Sequence, residues 1–146
     1  MFPRLLAAFL GLAVLLGGGT GAVAADTAPS AADRGAIVAV ISRQIDAFRR
    51  DDGAAAFAFA SPSIQGMFGT PENFMDMVRR SYRPVYRPRD VRFEELLARD
   101  GQLVQRVLLI GPESEVVVAL YEMQRQPDGE WRINGCFLLQ AEQRAT

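Results

Sequence analysis

Two consecutive segments of the C-terminal half, LVQRVLLI at 103–110 and VVVALYEM at 116–123, are apolar on both of their alternating rows of side chains. Successive side chains of a strand point to opposite faces. Leu103, Val107 and Leu109 thus oppose Val104, Leu108 and Ile110, while Val116, Val118 and Leu120 oppose Val117, Ala119, Tyr121 and Met123. An antiparallel sheet with one wet face alternates cleanly between apolar and polar residues. This one does not, so both faces need a cover.

The turns that join these segments are written in the sequence. Asp100-Gly101 is a tight hairpin signal, Gly111-Pro112-Glu113-Ser114 makes a second turn, and Pro127-Asp128-Gly129 makes a third. Strands are expected at 102–110, 115–123 and 131–140. Residues 91–98 fit two states, because VRF favours a strand and EELLAR suits a helix. In WRINGCFLLQ (131–140), Trp131, Ile133, Phe137 and Leu139 form one row, and Arg132, Asn134, Cys136 and Leu138 the other. Gly135 falls in the apolar row, where a strand glycine marks a bend, a bulge or a close approach. A bend there suits a sheet that curls round a pocket.

Helices precede the strands. Ile37, Val40, Ile41, Gln44, Ile45 and Phe48 recur at helical spacing and make one apolar stripe. Gln44 is the only polar group in that stripe, either an internally bonded amide or a ligand contact. Asp51-Asp52-Gly53 ends this helix, and the aspartates can cap a second at 54–59 that Ser61-Pro62 stops. Thr70-Pro71-Glu72 starts a third, on which Phe74, Met77, Val78 and Tyr82 share a face. Three helices followed by a meander of about four antiparallel strands define an α+β domain. With helices covering one face, the simplest cover for the other is a second copy of the chain, so a homodimer is expected.

The N-terminus reads as a secretory signal peptide over 1–24. Arg4 precedes an apolar run from Leu5 to Leu16, a glycine-rich break follows, and Ala22-Val23-Ala24 offers a small-x-small cleavage site. Gly17, Gly18, Gly19 and Gly21 dilute the run below the ~20 apolar residues that spanning a membrane needs. The expected product is periplasmic or secreted, has no stable membrane anchor, carries a short mobile leader at 25–32, and folds as one domain over 33–146.

All basic residues are arginine. Removing Arg4 from the 16 leaves 15 against 17 acids, a mature charge near −2. That balance points away from nucleic acid and membrane surfaces. The chain has no histidine, which removes Ser-His-Asp and Cys-His catalysis and histidine-ligated zinc. No cofactor or metal is expected. Its one cysteine, Cys136, cannot form an intramolecular disulfide and reads first as a core thiol, second as a nucleophile or redox sensor.

The densest charge feature is RRSYRPVYRPR at 79–89, where arginines interleave with Tyr82 and Tyr86 and prolines at 84 and 88 favour an extended loop. Arg83 and its neighbours either hold an anionic or aromatic ligand at a pocket mouth or neutralise Asp90, Glu94 and Glu95. Among acids, Glu94, Glu95 and Glu122 fall in expected strands, as a buried base or as solvent-facing charges.

This organisation resembles the NTF2-like (SnoaL-type) superfamily. It is closer to one branch, an uncharacterised bacterial group known as domain of unknown function 4864. The resemblance runs over about 37–139. It is carried by residues 44–48, Ala60-Ser61-Pro62, Phe74-x-x-Met77-Val78, Tyr82-x-Pro84-Val85 and Trp131-Arg132-Ile133-x-Gly135-Cys136. It implies a cone-shaped pocket between helices and a concave sheet, often in a dimer, and no particular activity, because such a fold hosts isomerases, hydrolases and non-enzymatic binders. The ligand-contacting candidates are Gln44, Tyr82, Arg83, Tyr86, Tyr121, Trp131, Asn134 and Cys136. The leading functional expectation is a small-molecule-binding or protein-interaction module. A cofactor-independent isomerase or hydrolase using carboxylate and tyrosine stands second, and a structural subunit of an envelope assembly third.

Overall fold

The computed structural model describes residues 28–141. The signal peptide and residues 25–27 of the leader fall outside the described residues, and the leader's last two residues, Ala31 and Ala32, belong to the first helix. Within the described residues five helices lead into four strands, an α+β fold with the helices layered on one face of an open antiparallel sheet ordered β1-β2-β3-β4. This arrangement is consistent with an NTF2-like fold. None of the described helices is long and apolar enough to cross a membrane.

Helix α1 (Ala31–Arg49) starts two residues before the expected domain boundary, because the Ser30 side chain accepts from Asp33 N–H and caps it. Its stripe is buried as the spacing requires: Ile37, Ile41, Ile45 and Phe48 are buried. Burying each such side chain contributes roughly 1.5–3 kcal/mol. Asp51 follows the helix with φ 53°, taking the left-handed position usually given to glycine or asparagine. Asp52 caps α2 (Gly53–Ala58) through Ala55 N–H.

Ser61-Pro62 does not merely stop α2. Ser61 Oγ accepts from Ile64 N–H and Pro62 takes the first turn, so the pair opens an unforeseen helix, α3 (Pro62–Phe68). Thr70 caps α4 (Pro71–Ser81) as its sequence requires. The stretch read as an extended loop instead contains one helical turn, α5 (Arg83–Tyr86), because Pro84 sits in a first turn where its missing N–H costs nothing.

Strand β1 (Asp90–Arg99) settles the ambiguous segment, and its pairing shows why the sequence fitted two states. The register with β2 (Gln102–Ile110) shifts between Phe93 and Leu96, so Glu94-Glu95 form a bulge and two residues three apart both face the helices. An i, i+3 apolar pair mimics a helix. Gln105, 2% exposed, braces this bulge: its Nε2 donates to the carbonyls of Glu94 and Arg106, each at 2.9 Å, and Glu95 at 3.4 Å. The hairpin between β1 and β2 turns on Asp100 and Gly101, both with positive φ (51° and 77°), as a tight two-residue turn demands.

A second bulge changes the reading of the last strand. Against β3 (Val116–Arg125), β4 (Trp131–Gln140) pairs Ile133 with Met123 but Gly135 with Glu122, leaving Asn134 as the extra residue. Side-chain parity inverts there. Ile133, Cys136 and Leu138 join the helix-facing core, whereas Phe137 and Leu139, expected in the Ile133 row, turn outward and are 54% and 49% exposed. The loop before α3 docks on this bulge. Ser61 N–H donates to Ile133 O at 2.8 Å, and Ile133 N–H to Phe59 O at 2.9 Å.

Among the described residues, no second layer covers the outer face of the sheet. Leu97 and Val116, each 44% exposed, join Phe137 and Leu139 on it.

Candidate functional site

Two bulges interrupt the sheet, and a cavity of about 490 Å³ lies between it and the helices. Its walls are mostly apolar. Met77 and Val78 come from α4, Val85 from α5, Ile64 and Phe68 from α3, and Ile133 from β4. Phe74, on the wall with Phe48 and Phe68, gathers Phe48, Phe57 and Phe68 at centroid distances of 6.1, 5.4 and 5.6 Å. Met67, 73% exposed, stands at the mouth.

Five of the sequence candidates border this cavity: Gln44, Tyr82, Tyr121, Asn134 and Cys136. Gln44 enters from the apolar stripe of α1, and its Nε2 donates to Ala56 O at 3.1 Å. The internal bond accounts for the amide's burial while the residue still faces the cavity. Tyr82, at the end of α4, donates its hydroxyl to Cys136 O at 2.9 Å. Asn134 Oδ1 accepts from Ser61 Oγ at 2.7 Å. The bulge carries Cys136 to the helix side, beside the opposing Tyr121 of β3. Tyr121 is 0% exposed.

Burial governs the acid–base behaviour of these groups. It pushes the Cys136 thiol up to about 12 and the Tyr121 phenol well above its ordinary value, with the neighbouring thiol adding to the latter. Tyr82 is raised for the same reasons. All three stay neutral near pH 7. Glu122 also borders the cavity, yet it follows Tyr121 on the strand, and its carboxylate lies on the opposite face. There it accepts from Gln102 Nε2 at 3.4 Å and would be 3.1 Å from a Cβ at Gly135. Gly135 keeps that spot free of a side chain.

Three candidates lie elsewhere. Arg83 is exposed and pairs with Glu113 at 3.8 Å. Trp131 borders a separate shallow depression at the β2–β3–β4 end, with Arg125 5.6 Å from its ring. Tyr86 belongs to a latch. Its hydroxyl donates to Asp51 Oδ1, Arg87 donates to Asp51 Oδ2 at 2.9 Å, and the Arg87 guanidinium stacks 3.8 Å from the Tyr86 ring. The Tyr86 bond, followed by the Arg87 and Arg79 cations, holds the Asp51 carboxyl below its ordinary range. The arginine-rich stretch thus neutralises Asp51 and Glu113, rather than Glu94 and Glu95 as expected; those two flank Arg106, with Glu94 at 3.0 Å.

Sequence reasoning took Ser61-Pro62 only as a helix stop and missed α3, which the pair opens. The signal was present, since a serine followed by proline is as good a helix start as Thr70-Pro71. It also passed over Gln105, whose role depends on a bulge visible only through pairing.

Fold and site together define an α+β domain with an apolar cavity between a helical layer and a bent sheet. The profile of the family described as Domain of unknown function (DUF4864) matches residues 30–146, and the chain belongs to that family. Neither a curated protein nor a solved structure matches it.

Proposed function

We propose that this chain is an exported, NTF2-like binding module that holds a small, largely apolar molecule between its helices and its sheet. The observation that carries the reading is the cavity itself. At about 490 Å³, with apolar walls and a few converging polar groups, it fits the usual profile of a ligand site. Two phenols and a thiol border it while the Glu122 carboxylate lies on the far face, an arrangement that favours binding over acid–base chemistry. The N-terminal signal pattern supports export to the periplasm or medium.

The test is a titration of the purified mature protein with N-phenylnaphthylamine, a neutral apolar dye that brightens in a dry environment. One dye per chain should bind saturably, and Met77→Trp, which narrows the cavity, should weaken binding at least about tenfold with unchanged circular dichroism. Binding that ignores the Met77 substitution would refute the assignment.

The exposed outer face supports a second part of the proposal, a homodimer through the sheets. Four strands of about ten residues span on the order of 600 Å², the same order as the roughly 800 Å² per partner of a standard interface. That face carries both signs of charge, with Arg106 beside Glu94 and Glu95, so a copy turned by a two-fold axis meets complementary groups rather than repulsion. Light scattering should give twice the chain mass at micromolar concentration, and Leu139→Arg should give a folded monomer. A wild-type monomer would dispose of the dimer.

A further inference from the structure

Among the described residues, the Tyr121 hydroxyl is the only buried side-chain oxygen or nitrogen without a hydrogen-bond partner. Buried polar groups are nearly always satisfied, and a phenylalanine would fill the same space with no donor to place. The neighbours supply at most a weak sulfur contact. No hydrogen bond joins the hydroxyl to Gln105, opposite on β2, whose amide is oriented by its nitrogen's bonds to the Glu94, Glu95 and Arg106 carbonyls. Cys136, opposite on β4, offers only sulfur, a weak acceptor. With the cavity wall closed as it stands, solvent does not reach the hydroxyl either, since the residue has 0% exposure. Yet the tyrosine forms part of the cavity wall.

We propose that the Tyr121 hydroxyl is the polar anchor of the cavity, donating a hydrogen bond to the carbonyl-type oxygen of an uncharged, otherwise apolar ligand. The inference rests on the cavity being a binding site and adds the chemical class of its occupant. The ligand is uncharged because no ionised side chain turned into the cavity would meet its charge, and a buried unpaired charge is strongly disfavoured. It supplies an acceptor because the phenol, held protonated by burial, always has a proton to give. For the ligand oxygen to reach the hydroxyl, the side chain of Cys136, opposite Tyr121 and also on the cavity wall, has to turn aside.

The probes are the neutral naphthalene ketone prodan and the same dimethylaminonaphthalene carrying propyl in place of propionyl. Wild-type protein should bind the ketone about tenfold more tightly than the alkyl analogue. The infrared carbonyl stretch of bound prodan should lie below its value in a hydrocarbon solvent. In Tyr121→Phe the alkyl analogue should bind as in wild type, the preference for the ketone should vanish, and the stretch should return to the hydrocarbon value. A Tyr121→Phe protein that keeps the ketone preference would overturn the anchor while leaving the cavity reading intact. If wild type binds neither probe, both readings fall. Should the variant not fold, the wild-type carbonyl stretch decides alone, and an unshifted band overturns the anchor.

Discussion

The Tyr82 hydroxyl donates to the Cys136 carbonyl oxygen at 2.9 Å, tying the end of α4 to the strand that carries the bulge. This bond closes one side of the cavity, since both residues border it. Tyr82→Phe leaves the ring in place and removes only the donor. The expected cost is about 1 kcal/mol of unfolding free energy, read as a lower urea midpoint at unchanged slope. An unchanged midpoint would mean that the two elements are held by packing alone.

Alkaline pH should weaken the fold in a defined window. The Cys136 pKa is raised by burial from an ordinary 9.0 to about 12 in the folded chain. A raised folded value means that the native state favours the protonated thiol, so the associated stability is complete below pH 9 and is lost as pH climbs towards 12. Within that window the thiol contributes a slope of up to about 1.4 kcal/mol per pH unit. Tyr121 and Tyr82, also raised, act in the same direction. Urea unfolding between pH 8 and 11 checks this, and Cys136→Ala should flatten the slope. Fast alkylation of the native thiol at pH 8 would contradict the burial on which it depends.

Gln105→Leu should destabilise more than its conservative shape suggests. The substitution keeps the volume but leaves the bulge carbonyls of Glu94 and Glu95 without their shared donor. Orphaned buried acceptors cost about 1–3 kcal/mol. The same bulge sets the curvature beneath the helices, so probe affinity in the cavity should fall together with the urea midpoint. Loss of neither would show that water replaces the amide.

Local rules and pairing rules were not equally legible in the chain. Caps at Asp52 and Thr70 and the Asp100-Gly101 turn depend on neighbours within three residues, and each is where its residues put it. The α1 stripe is equally plain, because burial follows a fixed period. Strict alternation places the wrong side chains inward beyond Asn134 for a physical reason. One extra residue opposite the Glu122–Met123 step inverts every later side chain, so Phe137 and Leu139 turned outward while Cys136 came in. Gly135 signalled that something happened there without saying where the count slipped. The same cause hid the role of Glu94-Glu95. The arginine-rich stretch drew attention by density, yet the cavity drew on sparser residues such as Gln44 and Tyr121, whose burial is set by tertiary packing.

The central claim is that small apolar molecules occupy the space between helices and sheet, and not the bare outer face. Backbone and methyl nuclear magnetic resonance of the mature protein, titrated with N-phenylnaphthylamine, tests this residue by residue. The account predicts shift changes at Val78, Val85, Tyr121 and Ile133, all on the cavity wall, with Leu108, Val118, Leu120 and Leu139 unmoved. Changes confined to the second group, or none at saturating dye, would contradict it.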